Sequence, residues 1–462
     1  MKRMIKEVYF PRKARWFSSS SSFDQRRFCF SALQVENRSS MACSQPQHLS
    51  VAIVGGGPIG IELAARLVTL DLFKSITLFE RGPSAGHNIC LWSHVLLFSP
   101  WSLNVSAWGR SLVNLSVDDS QCPTGREFLD QYLLPLAGKI ATLGVDFQIE
   151  TQVLSISKQP ALASRPKYYL FSRSNSGSEQ TFFADVVFDT TGTFGNFNRL
   201  GPGGAPALGE LRLEEDGKIQ RMIPSIDESR SFCATAGSKI VCVGTGYSAI
   251  TTLSNIIEAV GQSSTQCELI WISRKVSGAP PYHIIKNDSL EARSVLSSFG
   301  NSLATDHSTL PENLSFKYLP GTSILELSSS NSTLSMVTAS STGETTTLLD
   351  ITHLIANVGY KPNLDIFREL DVHLCYRTEG PMRLSSSLLS DQTQRDLSGE
   401  SPDCLSQQSH GPSSLVTTEP SFFILGAKSY GRLSTFILRI GIQQIIDIVS
   451  LFEASIVESE RS

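Results

Sequence analysis

Two glycine loops, far apart along the chain, constrain its fold more than any other feature. Each loop follows a short apolar run typical of a strand and opens a run with helical patterning. The first unit is VAIVGGGPIGIELAARL, residues 51–67, and the second is KIVCVGTGYSAITTL, residues 239–253. A strand, a glycine loop and a helix in this order form a unit that binds dinucleotide phosphates. The sequence therefore predicts an α/β fold with two Rossmann-like dinucleotide-binding domains.

The first loop has the pattern Gly55-x-Gly57-x-x-Gly60, and Glu80 ends the next predicted strand. The first glycine permits the tight turn, the second lets the backbone approach a pyrophosphate, and the third permits close helix–strand packing. A carboxylate at Glu80 accepts hydrogen bonds from ribose hydroxyls and repels an additional 2′-phosphate. This loop is expected to bind FAD or NAD; the alternative is a glycine turn in an unrelated α/β unit. The expected cofactor-binding residues here also include Pro58, Ile59 and Arg81.

The second loop has the pattern Gly244-x-Gly246-x-x-Ala249, with a small residue in the third place. The strand that follows ends in Arg274 and Lys275 instead of an acid. Two cations at this position match a 2′-phosphate and favour NADPH over NADH. The alternative is that both are ordinary surface charges. The expected NADPH-binding residues also include Tyr247 and Ser248.

The charge distribution excludes one class of partner. The chain has 462 residues and a net charge of −4. Residues 1–50 hold nine Lys and Arg against three Asp and Glu, a balance of +6, so the remainder carries −10. An acidic body of this kind is no ligand for nucleic acid. No apolar run reaches the length of a membrane span, so we expect a small-molecule substrate as partner and no integral membrane segment.

The first 48 residues have the composition of a targeting segment. They are rich in Arg and Ser, poor in acids, and lack the apolar core of a secretory signal. This composition indicates an organelle transit peptide, mitochondrial first and plastid second. The alternatives are a disordered basic tail, or a translation start at Met41 that would leave the protein cytoplasmic. Residues 1–48 are therefore excluded from the predicted fold.

The nine cysteines are scattered along the chain. None forms a CxxC pair, and no Cys or His spacing suits zinc, so no metal site is expected. Because the chain carries no secretory signal, we expect thiols and not disulfides.

Three further patterns complete the outline. Residues 123–144 have helical patterning, and short β-type runs between 145 and 192 indicate a small antiparallel meander. Residues 385–418, dominated by Ser, Gln, Asp and Gly, are predicted to form a surface loop or a disordered segment. The tail ends in a strand, a glycine turn and an amphipathic helix.

Five stretches, in this order, resemble the two-dinucleotide-domain flavoproteins, and among them the flavin-containing monooxygenase-like and thioredoxin-reductase-like group. They are the two glycine loops, DVVFDTTG at 185–192, HLIANVGYKPN at 353–363 and FFILGAKSYG at 422–431. The resemblance implies a discontinuous FAD domain with an NAD(P)H domain inserted into it. The implied segments are 49–205 and 350–462 for FAD, and 206–349 for NAD(P)H.

The resemblance also implies which residues surround the FAD. The returning strand and the final turn contribute Thr191, Gly192, Gly426 and Ala427. The stretch FERGPSAGHNICLWSHVLLFSPW resembles the one that runs from the ribose-binding acid to the flavin ring. Its expected ring neighbours are His94, Ser99 and Asn104. For His94 the alternative is a core or surface histidine. No catalytic residue is identified.

Two departures from the family pattern bear on the reaction. Flavin-containing monooxygenases carry a histidine shortly before the second glycine loop, and residues 193–238 contain none. This weakens the expectation of ordinary S- or N-oxygenation. Thioredoxin-type reductases need a CxxC near the flavin, so its absence argues against disulfide reduction by that route.

The expected function is FAD-dependent oxidation–reduction with hydride taken from NADPH. The resemblance favours a monooxygenase-like enzyme acting on a small organic substrate. One alternative is an NAD(P)H-dependent reductase of a quinone-like acceptor. Another is an FAD-binding redox sensor or scaffold with little turnover. The substrate and the oligomeric state do not follow from the residues.

Overall fold

The computed structural model describes residues 49–159, 167–276, 280–330, 332–398 and 403–461. The predicted targeting segment, residues 1–48, lies outside the described residues. Strands β1 to β16 are Ser50–Val54, Ser75–Phe79, Val145–Gln148, Thr151–Lys158, Tyr168–Ser174, Glu179–Ala184, Val186–Asp189, Ile219–Gln220, Ser238–Val243, Cys267–Ile272, Leu314–Leu319, Thr322–Ser330, Thr333–Ser340, Thr345–Ile351, His353–Ala356 and Phe422–Ile424.

Helices α1 to α13 connect these strands. They are Pro58–Leu70, His87–Cys90, Trp101–Asn104, Ala107–Val113, Gly125–Phe128, Leu134–Thr142, Glu210–Glu215, Ile226–Phe232, Tyr247–Gly261, Glu291–Leu303, Met382–Ser398, Pro412–Leu415 and Leu438–Arg461. A π-helical segment, Leu129–Leu133, joins α5 to α6. The helix predicted at 123–144 is therefore confirmed, with a π-helical turn in its middle. No helix in the described part of the chain is both long and apolar enough to cross a membrane.

The first sheet is parallel and has the strand order β16-β7-β1-β2-β3. Strand β1 is apolar and buried from Val51 to Val54, because both faces of the sheet are covered. Ile53 points into a core formed with helices α1, α6 and α13. Its neighbours Ala52 and Val54 point to the opposite face, where they pack against the antiparallel sheet β4-β5-β6. The predicted meander is this covering sheet.

The second sheet repeats the arrangement with the order β11-β10-β9-β15-β8, again with parallel pairing. Ile240 and Cys242 of β9 face helices α9 and α10. Val241 and Val243 face the antiparallel sheet β12-β13-β14. The chain thus forms two α/β units of the same three-layer design, and the predicted fold class is confirmed.

The second unit is inserted into the first, because β16 returns from the end of the chain to pair with β7. Strand β15, His353–Ala356, pairs with β9 and belongs to the second sheet. The sequence-based boundary at residue 350 lies before this strand. The misplacement has a simple cause: β15 is as apolar as a strand of the first sheet, and only its pairing distinguishes the two.

Two connections join the units and run side by side. Phe197 and Tyr360 form an antiparallel bridge. The Asn198 N–H donates to the Gly359 carbonyl at 3.0 Å, and the Lys361 N–H donates to the Asn196 carbonyl at 2.9 Å. We call residues 194–200 and 357–363 the linker pair. Both crossings between the units are therefore held together by backbone hydrogen bonds.

The surface loop predicted at 385–418 is wrong over much of its length. Residues 382–398 form helix α11, and residues 412–415 form helix α12. Leu384 and Leu388 of α11, one helical turn apart, are buried in the first core. The many serines in this segment masked that apolar stripe. The amphipathic tail helix is confirmed as α13, with Ile445, Val449 and Phe452 buried.

Candidate functional site

The first glycine loop has the geometry that a pyrophosphate requires. Gly55 has a φ of +110°, a conformation that side chains disfavour. A Cβ atom on Gly60 would lie 2.0 Å from the Gly55 carbonyl oxygen, so this glycine is needed for helix–strand contact. A Cβ atom on Gly57 would meet nothing within 4 Å. The middle glycine therefore leaves its backbone open to a ligand at the N-terminus of α1.

Glu80 connects this loop to the end of strand β2. Its Oε2 accepts the Gly56 N–H at 2.9 Å, and its Oε1 accepts the Gly82 N–H at 2.7 Å. The side chain is buried yet lines the cavity beside the loop. Each carboxylate oxygen has a second lone pair, so Glu80 can hold the loop and still accept a ligand hydroxyl.

Glu62 fixes the helix that starts at this loop. It lies on α1, where its Oε2 accepts the Ser106 hydroxyl at 2.6 Å and its Oε1 accepts the Tyr132 hydroxyl. Burial raises the pKa of Glu62 above its ordinary value. The helix N-terminus is therefore held from behind by a buried polar network, which sequence patterns did not indicate.

A cavity of about 600 Å³ opens beside the first loop. It is lined by most of the residues predicted for FAD, namely Gly55, Gly57, Pro58, Ile59, Glu80, Arg81, Thr191, Gly192, Gly426 and Ala427. Gly60 packs behind the loop and does not line it. Sequence reasoning missed further lining residues, among them His87, Asn88, Trp92, Gln152 and Lys428.

The three predicted ring neighbours lie elsewhere. The His94 Nε2 is 3.1 Å from the Ile223 carbonyl oxygen, and the imidazole is exposed. Ser99 and Asn104 bond each other: Ser99 Oγ donates to Asn104 Oδ1, and Asn104 Nδ2 donates to the Ser99 carbonyl, both at 2.8 Å. None of the three lines the cavity.

The course of the backbone explains this correction. The short helix α2 brings His87 and Asn88 to the cavity wall instead. The chain then turns away, because the Leu97 N–H donates to the Pro123 carbonyl at 2.9 Å. Gly86, with a φ of +66°, precedes the first residue of that short helix. A glycine at this position was the feature of the sequence that could have indicated a turn there.

A buried ion pair forms part of the cavity wall. Lys428 follows strand β16, and its Nζ donates to Asp189 Oδ2 at 2.5 Å and to Thr191 Oγ1 at 3.0 Å. Asp189 ends strand β7, and its Oδ1 accepts the Thr191 hydroxyl at 2.7 Å. The pair thus ties the two separated segments of the first unit together beside the cavity.

The second glycine loop repeats the geometry of the first. Gly244 has a φ of +136°, and a Cβ atom there would lie 2.2 Å from the Asn357 carbonyl oxygen. A Cβ atom on Gly246 would meet nothing within 4 Å. Ala249 packs behind the loop, as Gly60 does in the first unit. Trp271 Nε1 donates to the Gly244 carbonyl at 2.7 Å and holds the loop against strand β10.

A second cavity, of about 530 Å³, opens at this loop. Gly244, Gly246 and Arg274 line it, whereas Tyr247, Ser248 and Lys275 do not. Lys275 Nζ instead donates to the Pro281 carbonyl at 2.6 Å.

Tyr247, which does not line the cavity, contacts residues outside it. The Tyr247 ring packs 5.3 Å from that of Phe98, and its hydroxyl is 3.2 Å from Ser297 Oγ.

Arg274 is exposed and forms no ion pair with any residue that the structure describes. One of the two predicted cations is therefore free to meet a ligand.

Tyr360 and Arg432 also line the second cavity and were not predicted. Burial raises the pKa of Tyr360 to about 12, so its hydroxyl stays protonated at neutral pH. Arg432 Nη2 donates to Glu379 Oε1 at 2.7 Å. Among the described residues, no cysteine lines either cavity, and no group of three or more His, Cys, Asp or Glu could hold a metal ion.

The two cavities adjoin. Thr193, Ala427 and Phe436 line both of them. Thr193 lies next to the linker pair, and Ala427 lies in the turn after β16. Phe436 is supported by the Tyr430 ring, whose centroid is 5.5 Å away, edge to face. The two cavities therefore share part of one wall.

No protein-family model matches the sequence, and neither does any curated protein. Solved structures match nearly the whole chain. The bacillithiol disulfide reductase of Bacillus cereus is 14% identical, with a TM-score of 0.59, over 90% of this chain and 99% of that one. The thioredoxin reductase of Lactococcus lactis is 15% identical, with a TM-score of 0.52, over 89% and 100%.

A hydroxylase matches as well as the reductases do. The ornithine N-hydroxylase of Kutzneria sp. 744, solved with reduced FAD, NADP⁺ and L-ornithine, is 15% identical, with a TM-score of 0.55. The match covers 87% of this chain and 98% of that one. The chain therefore has the fold of these reductases and hydroxylases, and the resemblance seen in its five stretches is confirmed at the level of the fold.

Proposed function

We propose that this protein is an FAD-dependent oxidoreductase that takes hydride from NADPH. One observation carries the proposal: two cavities, each opening at a glycine loop between a strand and a helix, share a wall at Thr193, Ala427 and Phe436. Two reactants bound in adjoining sites react as if at very high local concentration. An arrangement of this kind serves electron transfer between two dinucleotides.

FAD fits the first cavity. Gly57 and the N-terminus of α1 would receive the pyrophosphate, and Glu80 would receive a ribose. The open space at Gly57 is the cradle that a Cβ atom would fill. When bound, FAD supplies the chemistry: it accepts two electrons from a nicotinamide and passes them to a second acceptor. The protein binds, orients and shields it.

NADPH fits the second cavity. Gly246 offers the same open backbone as Gly57. Arg274 lines the cavity, and its guanidinium, which forms no ion pair with any described residue, would bind a 2′-phosphate. The Kutzneria hydroxylase, which shares the fold, was solved with NADP⁺ and reduced FAD together. This pairing supports the assignment of one cofactor to each cavity.

Anaerobic reduction tests the proposal. The purified protein is loaded with FAD, its absorbance near 450 nm is recorded, and NADPH is added without oxygen. We expect rapid bleaching of the flavin spectrum, whereas NADP⁺ in the control should leave it oxidised. A flavin that stays oxidised with NADPH would reject hydride transfer and leave the binding-scaffold alternative.

We further propose that the second half-reaction is monooxygenase-like and acts on a small organic substrate. Two observations support this choice over disulfide reduction: the chain contains no CxxC, and no cysteine among the described residues lines either cavity. Admitting oxygen after reduction separates the remaining cases. A transient spectrum that differs from both the oxidised and the reduced flavin, seen before reoxidation, supports oxygenation. Reoxidation that requires an added quinone supports the reductase alternative.

A further inference from the structure

The second cavity is more positively charged than a single 2′-phosphate requires. Two of the described residues that line it are charged, and both are arginines, Arg274 and Arg432. No carboxylate among the described residues lines it. A cavity with two cations and no acid in its lining favours a ligand that carries more than one negative group. Arg274 would bind one such group, the 2′-phosphate, and Arg432 has no assigned ligand group.

Arg432 comes to this cavity from the other unit. Gly244 and Arg274 belong to the second unit, whereas Arg432 follows strand β16 in the segment that returns to the first unit. Its backbone N–H donates to the Thr378 carbonyl at 2.7 Å, and a Cβ atom on Gly431 would lie 1.9 Å from the same oxygen. The base of the Arg432 side chain is therefore fixed, and a ligand that met both arginines would contact both units.

The guanidinium of Arg432, in contrast, is weakly held. Its side chain is 42% exposed, and that of its partner Glu379 is 26% exposed. In the part of the chain that the structure describes, its one side-chain hydrogen bond runs from Nη2 to Glu379 Oε1 at 2.7 Å. A guanidinium has five N–H donors, and an ion pair so accessible to water is weak. A guanidinium–phosphate contact, frequently bidentate, is among the stronger hydrogen-bonded pairs, so exchange of Glu379 for a phosphate is favourable.

We propose that Arg432 is a second anion-binding residue of this cavity, contributed by the first unit, and that it binds the pyrophosphate of the dinucleotide in exchange for Glu379. The pyrophosphate is the anionic group that remains once Arg274 has bound the 2′-phosphate. Because NADPH and NADH share the pyrophosphate, Arg432 serves both coenzymes equally, whereas Arg274 selects between them. This inference rests on the proposed function, because it requires a dinucleotide in the second cavity.

The test measures the Kd of NADP⁺ and of NAD⁺ for the FAD-loaded protein by titration calorimetry, since the oxidised coenzymes bind without reducing the flavin. The variants are Arg432→Gln, Glu379→Asn and the double variant. Asparagine suits position 379, where φ is +59°. Arg173→Gln is the matched control, because Arg173 is 53% exposed, pairs with Glu179 at 3.7 Å and lines neither cavity.

We expect Arg432→Gln to raise both Kd values by the same factor, about tenfold or more, as for the loss of a hydrogen bond to a charged group. Glu379→Asn should lower both values by up to about fivefold, because it frees the guanidinium from a weak ion pair. That gain should disappear in the double variant, which should match Arg432→Gln. The Arg173 control should bind both coenzymes like the wild-type protein.

Three results would overturn the inference while leaving the proposed function intact. They are unchanged Kd values in Arg432→Gln, a gain from Glu379→Asn that persists without Arg432, and a loss in Arg432→Gln confined to NADP⁺. The last of these would place Arg432 on the 2′-phosphate instead. If the wild-type protein binds neither coenzyme, the proposed function itself fails.

Discussion

At the scale of single residues, the neighbouring cations Arg274 and Lys275 have different partners. Arg274 lines the second cavity without an ion pair among the described residues, whereas Lys275 Nζ is 2.6 Å from the Pro281 carbonyl oxygen. Of the two cations, only Arg274 therefore lies at the second cavity.

Replacing Arg274 with Gln should weaken NADPH much more than NADH. Loss of a hydrogen bond to a charged group costs about 1.5–3 kcal/mol, which corresponds to a roughly 10- to 150-fold increase in the Kd of NADPH. The Kd of NADH should change less than about threefold. Stopped-flow measurement of flavin reduction over a range of coenzyme concentrations gives both values.

Lys275→Gln provides the matched control for that prediction. Its ammonium is bound to a backbone carbonyl outside the cavity. We expect the ratio of the two Kd values to stay at the wild-type level. Equal loss of NADPH preference in the two variants would contradict the separation of roles seen here.

Whether the sequence can predict such a residue depends on whether the residue lies in a regular element or in an irregular segment. Glu80 was identifiable because it ends a strand at a fixed distance from the glycine loop. His94 was misplaced, since it lies in an irregular segment with no period from which to infer direction. Lys428 could not be found at all, because its partner Asp189 is 239 residues away along the chain.

At the scale of elements, two glycines of the first loop have different structural roles. Gly57 has φ −79° and ψ −175°, values that any residue can adopt, and it faces open space. Gly60 touches the Gly55 carbonyl and has no room for a side chain. The third glycine of the motif is therefore needed for the fold, whereas the second leaves its backbone open.

Alanine substitutions at Gly57 and at Gly60 should distinguish these two roles. Gly57→Ala is expected to leave the free energy of unfolding of the flavin-free protein within about 0.5 kcal/mol of wild type. The same substitution should lower FAD affinity at least tenfold, because the added methyl group fills the space that the pyrophosphate needs. Gly60→Ala should destabilise the flavin-free protein by about 1–3 kcal/mol through overpacking. Urea denaturation and flavin titration measure the two effects.

The reverse pattern, with Gly57→Ala destabilising and Gly60→Ala neutral, would show that the loop contacts have been assigned to the wrong glycines.

The glycine loops were predictable from the sequence, because the spacing of glycines and the helical period of apolar residues depend directly on the backbone conformation. Helix α11 was not, because Leu384 and Leu388 are its few apolar anchors in a segment otherwise full of serine.

At the scale of the whole molecule, a buried cation joins the second unit to the returning chain. Arg293 of helix α10 donates to Asp288 at 2.6 Å and to Asp403 at 2.9 Å. The segment after Asp403 reaches the first unit, where Gln407 Nε2 donates to the Thr435 carbonyl at 2.7 Å. Arg293 is thus a contact between the two units as well as within one.

Replacing Arg293 with Met should lower the free energy of unfolding by about 3–5 kcal/mol, because it leaves the buried Asp288 carboxylate without its counter-charge. Burial by itself would raise the pKa of Asp288, but hydrogen bonds from Arg293 and Leu290 lower it below its ordinary value. The stabilisation is therefore present at neutral pH and is lost as the pH falls through that lowered pKa. Denaturation at pH 7 and in acid measures the difference.

Arg212→Met is the control, because Arg212 is 87% exposed and its pairing with Asp216 is long, at 4.0 Å. An exposed pair contributes at most about 1 kcal/mol, so this variant should behave like wild type. If both substitutions cost the same, the buried cluster adds nothing special.

The order of the five family-like stretches predicted the nested arrangement of the whole molecule. Strand β15 belongs to the second sheet because it pairs with β9, more than a hundred residues before it in the chain. No local sequence pattern indicates this pairing. The contact of Arg293 with Asp403 belongs to the same class of information, since it joins residues 110 positions apart.

The linker pair has a consequence for how such a protein can change over generations. Its two segments are joined by backbone hydrogen bonds of 2.9 and 3.0 Å, so the second unit leaves and rejoins the first at neighbouring positions. Insertions whose ends lie close together disturb a host domain least. Under the proposed function, exchange of residues 201–356 as a cassette would give a new electron donor to an unchanged flavin site. The nested order of the chain would then be a route by which coenzyme choice is replaced in a single step.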